Sequence, residues 1–115
     1  MLPKQHRLSK KADVNLTTAK GRSFFSKNFV IKFLAKSEIK LPLFTVIVSN
    51  KVSKSAVVRN RLKRIIRQYL QEIIINTKPG FYVIIVKKSA TLVTADELRV
   101  EILTSLKKSK IYQNV

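Results

Sequence analysis

Residues 56–68 read AVVRNRLKRIIRQ and carry five arginine or lysine side chains with no acidic residue among them. In this segment and just beyond it, apolar residues recur at a spacing of three and four, which is typical of an amphipathic helix. We predict a helix over residues 57–75 that docks one apolar stripe on the rest of the fold. The stripe comprises Val58, Leu62, Ile65, Ile66, Tyr69, Leu70 and Ile73.

The polar side chains of this helix are sorted away from the apolar stripe. Solvated helix faces usually mix charges, because opposite charges four residues apart stabilise a helix. This face has no acidic residue before Glu72. A polyanionic partner would neutralise it, and the alternative is an ordinary solvated face. The residues concerned are Arg59, Asn60, Arg61, Lys63, Arg64 and Arg67.

These residue types suit RNA. The planar guanidinium fork of arginine can contact two phosphate oxygens at once, whereas lysine supplies a point charge. An asparagine among arginines, Asn60, can bond a base edge, a ribose hydroxyl or a backbone group. The preceding serine-rich loop adds Lys51 and Lys54, so the predicted RNA-binding surface includes both lysines.

The composition indicates a folded and strongly basic protein. The chain has 115 residues, with 24 Lys+Arg against 6 Asp+Glu and a formal net charge of +18. Its hydrophobic content of 45% is too high for a disordered basic tail. We therefore expect one folded domain with a basic surface over residues 1–115, with mobile ends.

Several classes of protein are disfavoured by what the sequence lacks. There is no cysteine, which excludes disulfides and thiolate metal sites. No apolar run reaches the roughly eighteen residues of a membrane-spanning helix, and the N-terminal segment lacks the apolar core of a signal peptide. The chain is therefore expected to be soluble and intracellular.

Periodicity predicts the order α-β-β-β-α-β-α, an α+β fold. The segments are a helix over 10–19, β structure over 23–36 with a separate short strand at Phe24 and Phe25, a strand over 43–49, the helix over 57–75, a strand over 81–87, and a helix from Thr94. In the aromatic-rich segment, Phe29, Ile31 and Phe33 share one face, and Val30, Lys32 and Leu34 share the other. Thr94 and Glu97 form a capping-box pattern, followed by Leu98, Ile102 and Leu106 on one side.

At these residues the chain resembles the bacterial ribonuclease P protein component. The most specific match is the RNR–KR segment after a Val-Ser-x-Lys loop; the other matches are individually weak. The specific match comprises Val48-Ser49-Asn50-Lys51-Val52 and residues 56–67. The other matches are Met1-Leu2-Pro3-Lys4, Arg7-Leu8, Gly21-Arg22-Ser23, Phe29-Val30-Ile31 and a late strand ending at Lys87.

The resemblance implies both a fold and a role. The implied fold resembles the second domain of ribosomal protein S5 and has an unusual left-handed β-α-β crossover, whereas the general rule is right-handed. The implied partners are a catalytic RNA subunit, which holds the Mg²⁺ ions, and precursor tRNA, whose 5′ leader is removed by hydrolysis. The protein subunit itself is implied to be non-catalytic and without a cofactor of its own, in the bacterial cytoplasm.

The resemblance also implies a cleft for the leader, and here the sequence departs from the family. Aromatic residues usually line that cleft on the first helix and the facing strand. The matching positions are Val14, Thr18 and Lys32, with Lys87 nearby. Leader binding is therefore expected to rest more on charge than on base stacking. The candidates to replace the missing aromatics are Phe24, Phe25 and Phe29, although a phenylalanine in a half-buried strand is more often core.

Other activities find less support in the residues. The sequence contains no paired carboxylates, no His/Asp/Glu cluster and no glycine-rich phosphate loop. Asp96, Glu97 and Glu101 are expected to be first-turn helix charges, and His6 a lone histidine near a mobile end. The alternatives are a ribosomal or RNA-chaperone protein, a membrane-surface protein using a basic amphipathic helix, and a stand-alone nuclease.

Overall fold

A four-stranded sheet with helices on both faces forms the architecture, and the computed structural model describes residues 3–109. The strands are β1 (Arg22–Phe25), β2 (Phe29–Leu34), β3 (Pro42–Ile47) and β4 (Gly80–Val86). The helices are α1 (Lys11–Lys20), α2 (Ala56–Ile73) and α3 (Ala95–Lys108). Short 3-10 turns lie at Lys4–His6, Ile74–Asn76 and Lys88–Leu92. The predicted order α-β-β-β-α-β-α is confirmed.

The sheet has the strand order β1-β2-β4-β3. Strand β2 pairs antiparallel with both β1 and β4, whereas β3 and β4 pair in parallel. Parallel neighbours need a crossover connection, which is usually a helix. Here the crossover contains α2, which follows β3 after a loop over residues 48–55 and leads, through a 3-10 turn, to the start of β4.

One face of the sheet forms the main core with α2 and α3. Phe29, Ile31 and Phe33 are buried there together, as predicted. On α2, Leu62, Ile66, Leu70 and Ile73 are buried, and Val58 and Tyr69 pack against the same core. Six of the seven residues of the predicted apolar stripe therefore dock on the sheet, whereas Ile65 is half-buried outside this cluster. On α3, the buried residues are Leu98, Ile102 and Leu106.

The opposite face of the sheet carries α1, which contacts β4 and β2. Leu8, Phe81 and Val83 are buried under it, and Val14 packs against them. The chain passes from α1 into β1 at Gly21, where a Cβ atom would lie 2.5 Å from the carbonyl oxygen of Thr17. Only glycine allows this close approach, which holds the end of α1 against the sheet.

Helix boundaries follow the capping residues. The Ser55 hydroxyl accepts a hydrogen bond of 3.3 Å from the Val58 amide at the start of α2. The Thr94 hydroxyl accepts one of 3.1 Å from the Glu97 amide, so Thr94 caps α3 as the predicted pattern indicates, and it also donates 3.2 Å to the Glu97 carboxylate. The helix predicted over 57–75 ends earlier, at Ile73, because a 3-10 turn follows.

Two expectations were wrong. Glu101 lies beyond the first turn of α3, which holds only Asp96 and Glu97 as acidic residues. His6 is buried, and its Nδ1 lies 2.9 Å from the Pro42 carbonyl oxygen, so it belongs to the fold. A lone histidine in a basic N-terminal segment gives no hint of this contact, which spans 36 positions of sequence. Met1 and Leu2 of the N-terminal match lie outside the described residues.

Candidate nucleic-acid interface

The basic face of α2 faces solvent, as the sequence predicted. Asn60, Arg61 and Arg64 are exposed, and the other three members, Arg59, Lys63 and Arg67, are half-buried at the edges of the apolar stripe. Within α2, all of which the structure describes, no arginine or lysine forms a salt bridge with a described carboxylate. The like charges are therefore left side by side, a cost that a bound polyanion would offset.

The loop before α2 joins this face. Arg59 donates a hydrogen bond of 2.8 Å from Nη1 to the carbonyl oxygen of Ser53. Together with Asn50, Lys51 and Lys54, Arg59 lines an open depression of about 540 Å³. The structure thus brings both predicted loop lysines to the N-terminal end of the basic helix, where the amide groups of the first turn also favour anions.

A second concavity lies further along α2. Asn60, Arg64 and Arg67 line it, with a volume of about 370 Å³, together with Gln68. Sequence reasoning missed Gln68, although its spacing of four from Arg64 places both on one helix face. Arg67 also lines a separate groove of about 340 Å³ with Val14 of α1 and Thr45 of β3. Arg67 therefore links the basic helix to the face of the sheet that carries α1.

That face contains the region expected to hold the leader, which we call the α1 cleft. Its floor is one row of paired residues across all four strands: Phe25, Val30, Ile85 and Ile47. Next to this row lie Lys32 and Thr45, and Val14 and Thr18 lie on α1. In this row Phe25 is exposed and the other three side chains are half-buried. Phe81 and Val83, which lie nearer α1, are buried. The cleft is thus a mainly apolar shelf beside α1.

Four residues were predicted for this cleft, and they hold different positions. Val14 is half-buried, and the Thr18 hydroxyl donates 2.9 Å to the Val14 carbonyl within α1. Lys32 is half-buried on the α1 side, and its Nζ donates 2.7 Å to the Ser23 hydroxyl. Lys87 lies just past β4, where its Nζ donates 2.7 Å to the Ser26 carbonyl. Both lysines therefore approach the β1 edge of the shelf.

The three candidate phenylalanines differ in their exposure to solvent. Phe29 is 0% exposed and belongs to the main core. Phe24 is half-buried against the same core, and the Arg22 guanidinium lies 5.2 Å from the centre of its ring. Phe25 is 76% exposed and pairs with Val30 on the α1 side. Strand alternation predicts that Phe25 and Phe24 lie on opposite faces of the sheet. It does not predict which of the two faces is exposed to solvent.

Glu101 holds the turn between β1 and β2. Its carboxylate accepts hydrogen bonds from the Ser26 hydroxyl, from the Asn28 amide at 2.9 Å and from the Asn28 side chain at 2.6 Å. Partial burial raises the pKa of the Glu101 carboxyl, but these donors outweigh it, and the pKa is lowered overall. The carboxylate is thus a structural acceptor that fixes the turn beside Phe25.

The described residues hold neither a metal-binding cluster nor a membrane-spanning helix. Among residues 3–109, no group of three His, Cys, Asp or Glu side chains is placed to hold a metal ion. Over the same part of the chain, no helix is both long and apolar enough to cross a membrane. The basic face of α2, its loop and the α1 cleft hold the residues that the sequence predicted for RNA binding. Together they define a small, highly basic α+β protein with positive charge beside a half-open sheet.

Comparison with known proteins specifies this class further. The chain matches the sequence profile of the Ribonuclease P family over residues 2–110. A ribonuclease P protein component from an Exiguobacterium species is 32% identical over 112 residues, which cover 97% of this chain and 96% of the relative. One from Carboxydothermus hydrogenoformans is 42% identical over 84 residues, covering 71% and 72%. The chain therefore belongs to the family of ribonuclease P protein components, protein subunits of the tRNA-processing endoribonuclease ribonuclease P.

Solved structures agree with this assignment. The RNase P protein from Staphylococcus aureus superposes with a TM-score of 0.87 at 26% identity, over 94% of this chain and 98% of that one. The protein from Thermotoga maritima gives 0.79 at 26% identity, over 89% and 96%. The small α+β fold expected for the family, with one four-stranded sheet and three helices, is thus confirmed.

Proposed function

We propose that this protein binds the catalytic RNA subunit of a bacterial ribonuclease P and the 5′ leader of precursor tRNA, and so assists removal of the leader. The observation that carries the proposal is the basic face of α2, which has no carboxylate partner among the described residues and continues into the loop that carries Lys51 and Lys54. Such a surface suits the closely spaced phosphates of a folded RNA.

Two surfaces divide the work in this proposal. The basic face of α2 and its loop bind the RNA subunit, since Arg61 and Arg64 are exposed and can present their guanidinium forks to phosphates. The α1 cleft binds the leader, because it is a half-exposed apolar shelf and both Lys32 and Lys87 reach its β1 edge. Arg67 lies between the two surfaces and would contact RNA near their junction.

Chemistry in this proposal belongs to the RNA subunit and its Mg²⁺ ions, within the bacterial cytoplasm. Metal-assisted hydrolysis of a phosphodiester needs groups that fix the ions and activate water. The protein supplies positive charge instead, which lowers the repulsion between the RNA subunit and the precursor tRNA.

Reconstitution tests the proposal directly. The full chain, a bacterial-type catalytic RNA and a precursor tRNA would be combined at low magnesium concentration, and release of the leader would be followed on a gel. We expect the protein alone to be inactive and to stimulate cleavage when the RNA is present. Cleavage by highly purified, RNA-free protein would overturn the assignment of chemistry, and an absence of stimulation would overturn the role as subunit.

A further inference from the structure

The outer edge of strand β1 is open within the described part of the chain. β1 is the last strand on one side of the sheet, and β2 is its neighbour. The opposite edge strand, β3, differs, because the Leu8 amide donates 2.8 Å to the Phe44 carbonyl oxygen and Arg7 bridges to the same residue. Over residues 3–109, no further strand pairs with β1, so its edge can accept one.

Two residues of β1 direct their backbone N–H and C=O groups away from the sheet. The Ser26 amide donates 2.9 Å to the Phe29 carbonyl oxygen, which makes these two residues a hydrogen-bonded pair where β1 turns into β2. Hydrogen-bonded and non-bonded pairs alternate along antiparallel strands. The backbone groups of Phe24 are therefore bonded to β2, whereas those of Ser23 and Phe25 point outward. Residues two apart in a strand are separated by about 7 Å, which is also the repeat of an added strand.

A groove of about 840 Å³ lies beside this edge, between β1 and α3. Arg22 and Phe24 of β1 line it, together with Thr104 and Lys108 of α3. Phe25, which is 76% exposed, also borders the groove, but its ring lies on the other side of the strand. A strand added to this edge would therefore place alternate side chains against α3 and against the Phe25 ring.

The free charges beside this edge are positive. Arg22 and Lys108 are exposed, and neither forms a salt bridge with a described carboxylate. The carboxylate that lines the groove, Glu101, already accepts hydrogen bonds from Ser26 and Asn28. An acidic occupant is favoured over a second copy of this chain, which would bring a further charge of +18. RNA fits the edge less well, because phosphates offer only acceptors, whereas a strand supplies both donors and acceptors at the required repeat.

We propose that the β1 edge binds an extended, acidic segment of a partner protein as an added strand. The backbone of this segment exchanges hydrogen bonds with Ser23 and Phe25. Its acidic side chains face Arg22 and Lys108 in the groove, and the apolar side chains between them lie against the ring of Phe25. The site thus adds a protein partner to the RNA partners of the proposed function. Because the open edge is short, the interaction is weak and reversible.

The probe is a blocked hexapeptide of alternating glutamate and valine, titrated into the full chain. We expect it to slow hydrogen exchange of the Ser23 and Phe25 amides, which point outward, while the Phe24 amide, already bonded to β2, stays unchanged. A peptide of the same sequence with every amide N-methylated should bind at least about tenfold more weakly, because it donates no backbone hydrogen bond. A peptide of alternating lysine and valine should also bind more weakly, because its charges are reversed.

A charge reversal on the protein tests the groove. Lys108→Glu should weaken binding of the glutamate–valine peptide about fivefold, since an attractive pair becomes a repulsive one. Lys78→Glu is the matched control, because it makes the same change of charge beside Pro42, on the opposite edge strand. A thermal melt verifies that both variants fold. Leader release by a holoenzyme reconstituted with Lys108→Glu should match the wild type, so failure of this inference is separate from failure of the proposed function.

Four results would contradict the inference. If the N-methylated peptide binds as well as the parent peptide, no strand is added. If saturating peptide leaves the exchange of Ser23 and Phe25 unchanged, the segment binds elsewhere. If both amides are protected without peptide and sedimentation shows a dimer, the edge belongs to a second copy of this chain. If oligouridylate protects the same two amides more strongly than the peptide does, the edge is a site for RNA.

Discussion

Arg59 on α2 is tied to the loop that precedes it by a hydrogen bond of 2.8 Å from its Nη1 to the Ser53 carbonyl oxygen. The residue is half-buried, in contrast to the exposed Arg61 and Arg64 of the same helix. The three arginines of the RNR–KR segment are thus not equivalent. Arg59 both carries charge and positions the loop with Lys51 and Lys54, whereas the other two present charge alone.

We predict that Arg61→Ala with Arg64→Ala weakens binding of the RNA subunit but leaves the melting temperature unchanged. The slope of log affinity against log salt should become shallower by about two units, one for each phosphate that the variant no longer neutralises. Arg59→Ala should also lower the melting temperature and speed amide exchange in residues 49–55. A double change of Lys40 and Lys78 to alanine controls for net charge. Unchanged affinity and slope in the Arg61/Arg64 variant would mean a merely solvated helix face.

Lys32 lies on the α1 side of the sheet, with its Nζ 2.7 Å from the Ser23 hydroxyl. We predict that Lys32→Ala weakens binding of leader-bearing precursor far more than binding of mature tRNA, because a positive charge beside the leader phosphates is removed. Lys32→Tyr should recover affinity with less salt dependence, since a ring can stack on a base. Ser23→Ala is the matched control, as it removes the hydrogen bond and keeps the charge. Equal losses for both substrates would place the leader elsewhere.

Local patterns predicted most of the fold but not its long-range contacts. The spacing of Leu62, Ile66 and Leu70 was enough to define α2 and its buried face, because a helical repeat is read within one segment. Whether the α1 side of the sheet is exposed at Phe25 depends on where α1 packs. The alternation of residues within a strand does not predict that position. The hydrogen bonds of Glu101 with Ser26 and Asn28 span 75 and 73 positions of sequence, and only the folded chain brings them together.

Glu101 should make stability depend on acid pH. Its folded pKa lies below the ordinary value of 4.5, so its contribution is fully present above that value and is lost as the pH falls through the folded pKa. We predict that Glu101→Gln lowers the free energy of unfolding by about 1–2 kcal/mol at neutral pH, because one amide hydrogen now faces a donor. Urea melts of both proteins between about pH 3 and pH 7 would test this, because carboxyl groups titrate within that range. A variant with the same acid dependence as wild type would contradict the assignment.

Gly21 connects the position of α1 to the cleft. A Cβ atom at residue 21 would lie 2.5 Å from the Thr17 carbonyl oxygen and 3.0 Å from that of Phe33, both of them backbone atoms. We predict that Gly21→Ala costs about 1–3 kcal/mol of stability, as overpacking does, and that the end of α1 moves away from β2. Precursor binding should then fall while mature tRNA binding holds, because α1 forms one wall of the cleft. Ala19→Gly is the control, since it weakens the same helix by about 1 kcal/mol without a clash. If both variants lose stability and neither loses preference for the precursor, α1 does not shape the leader site.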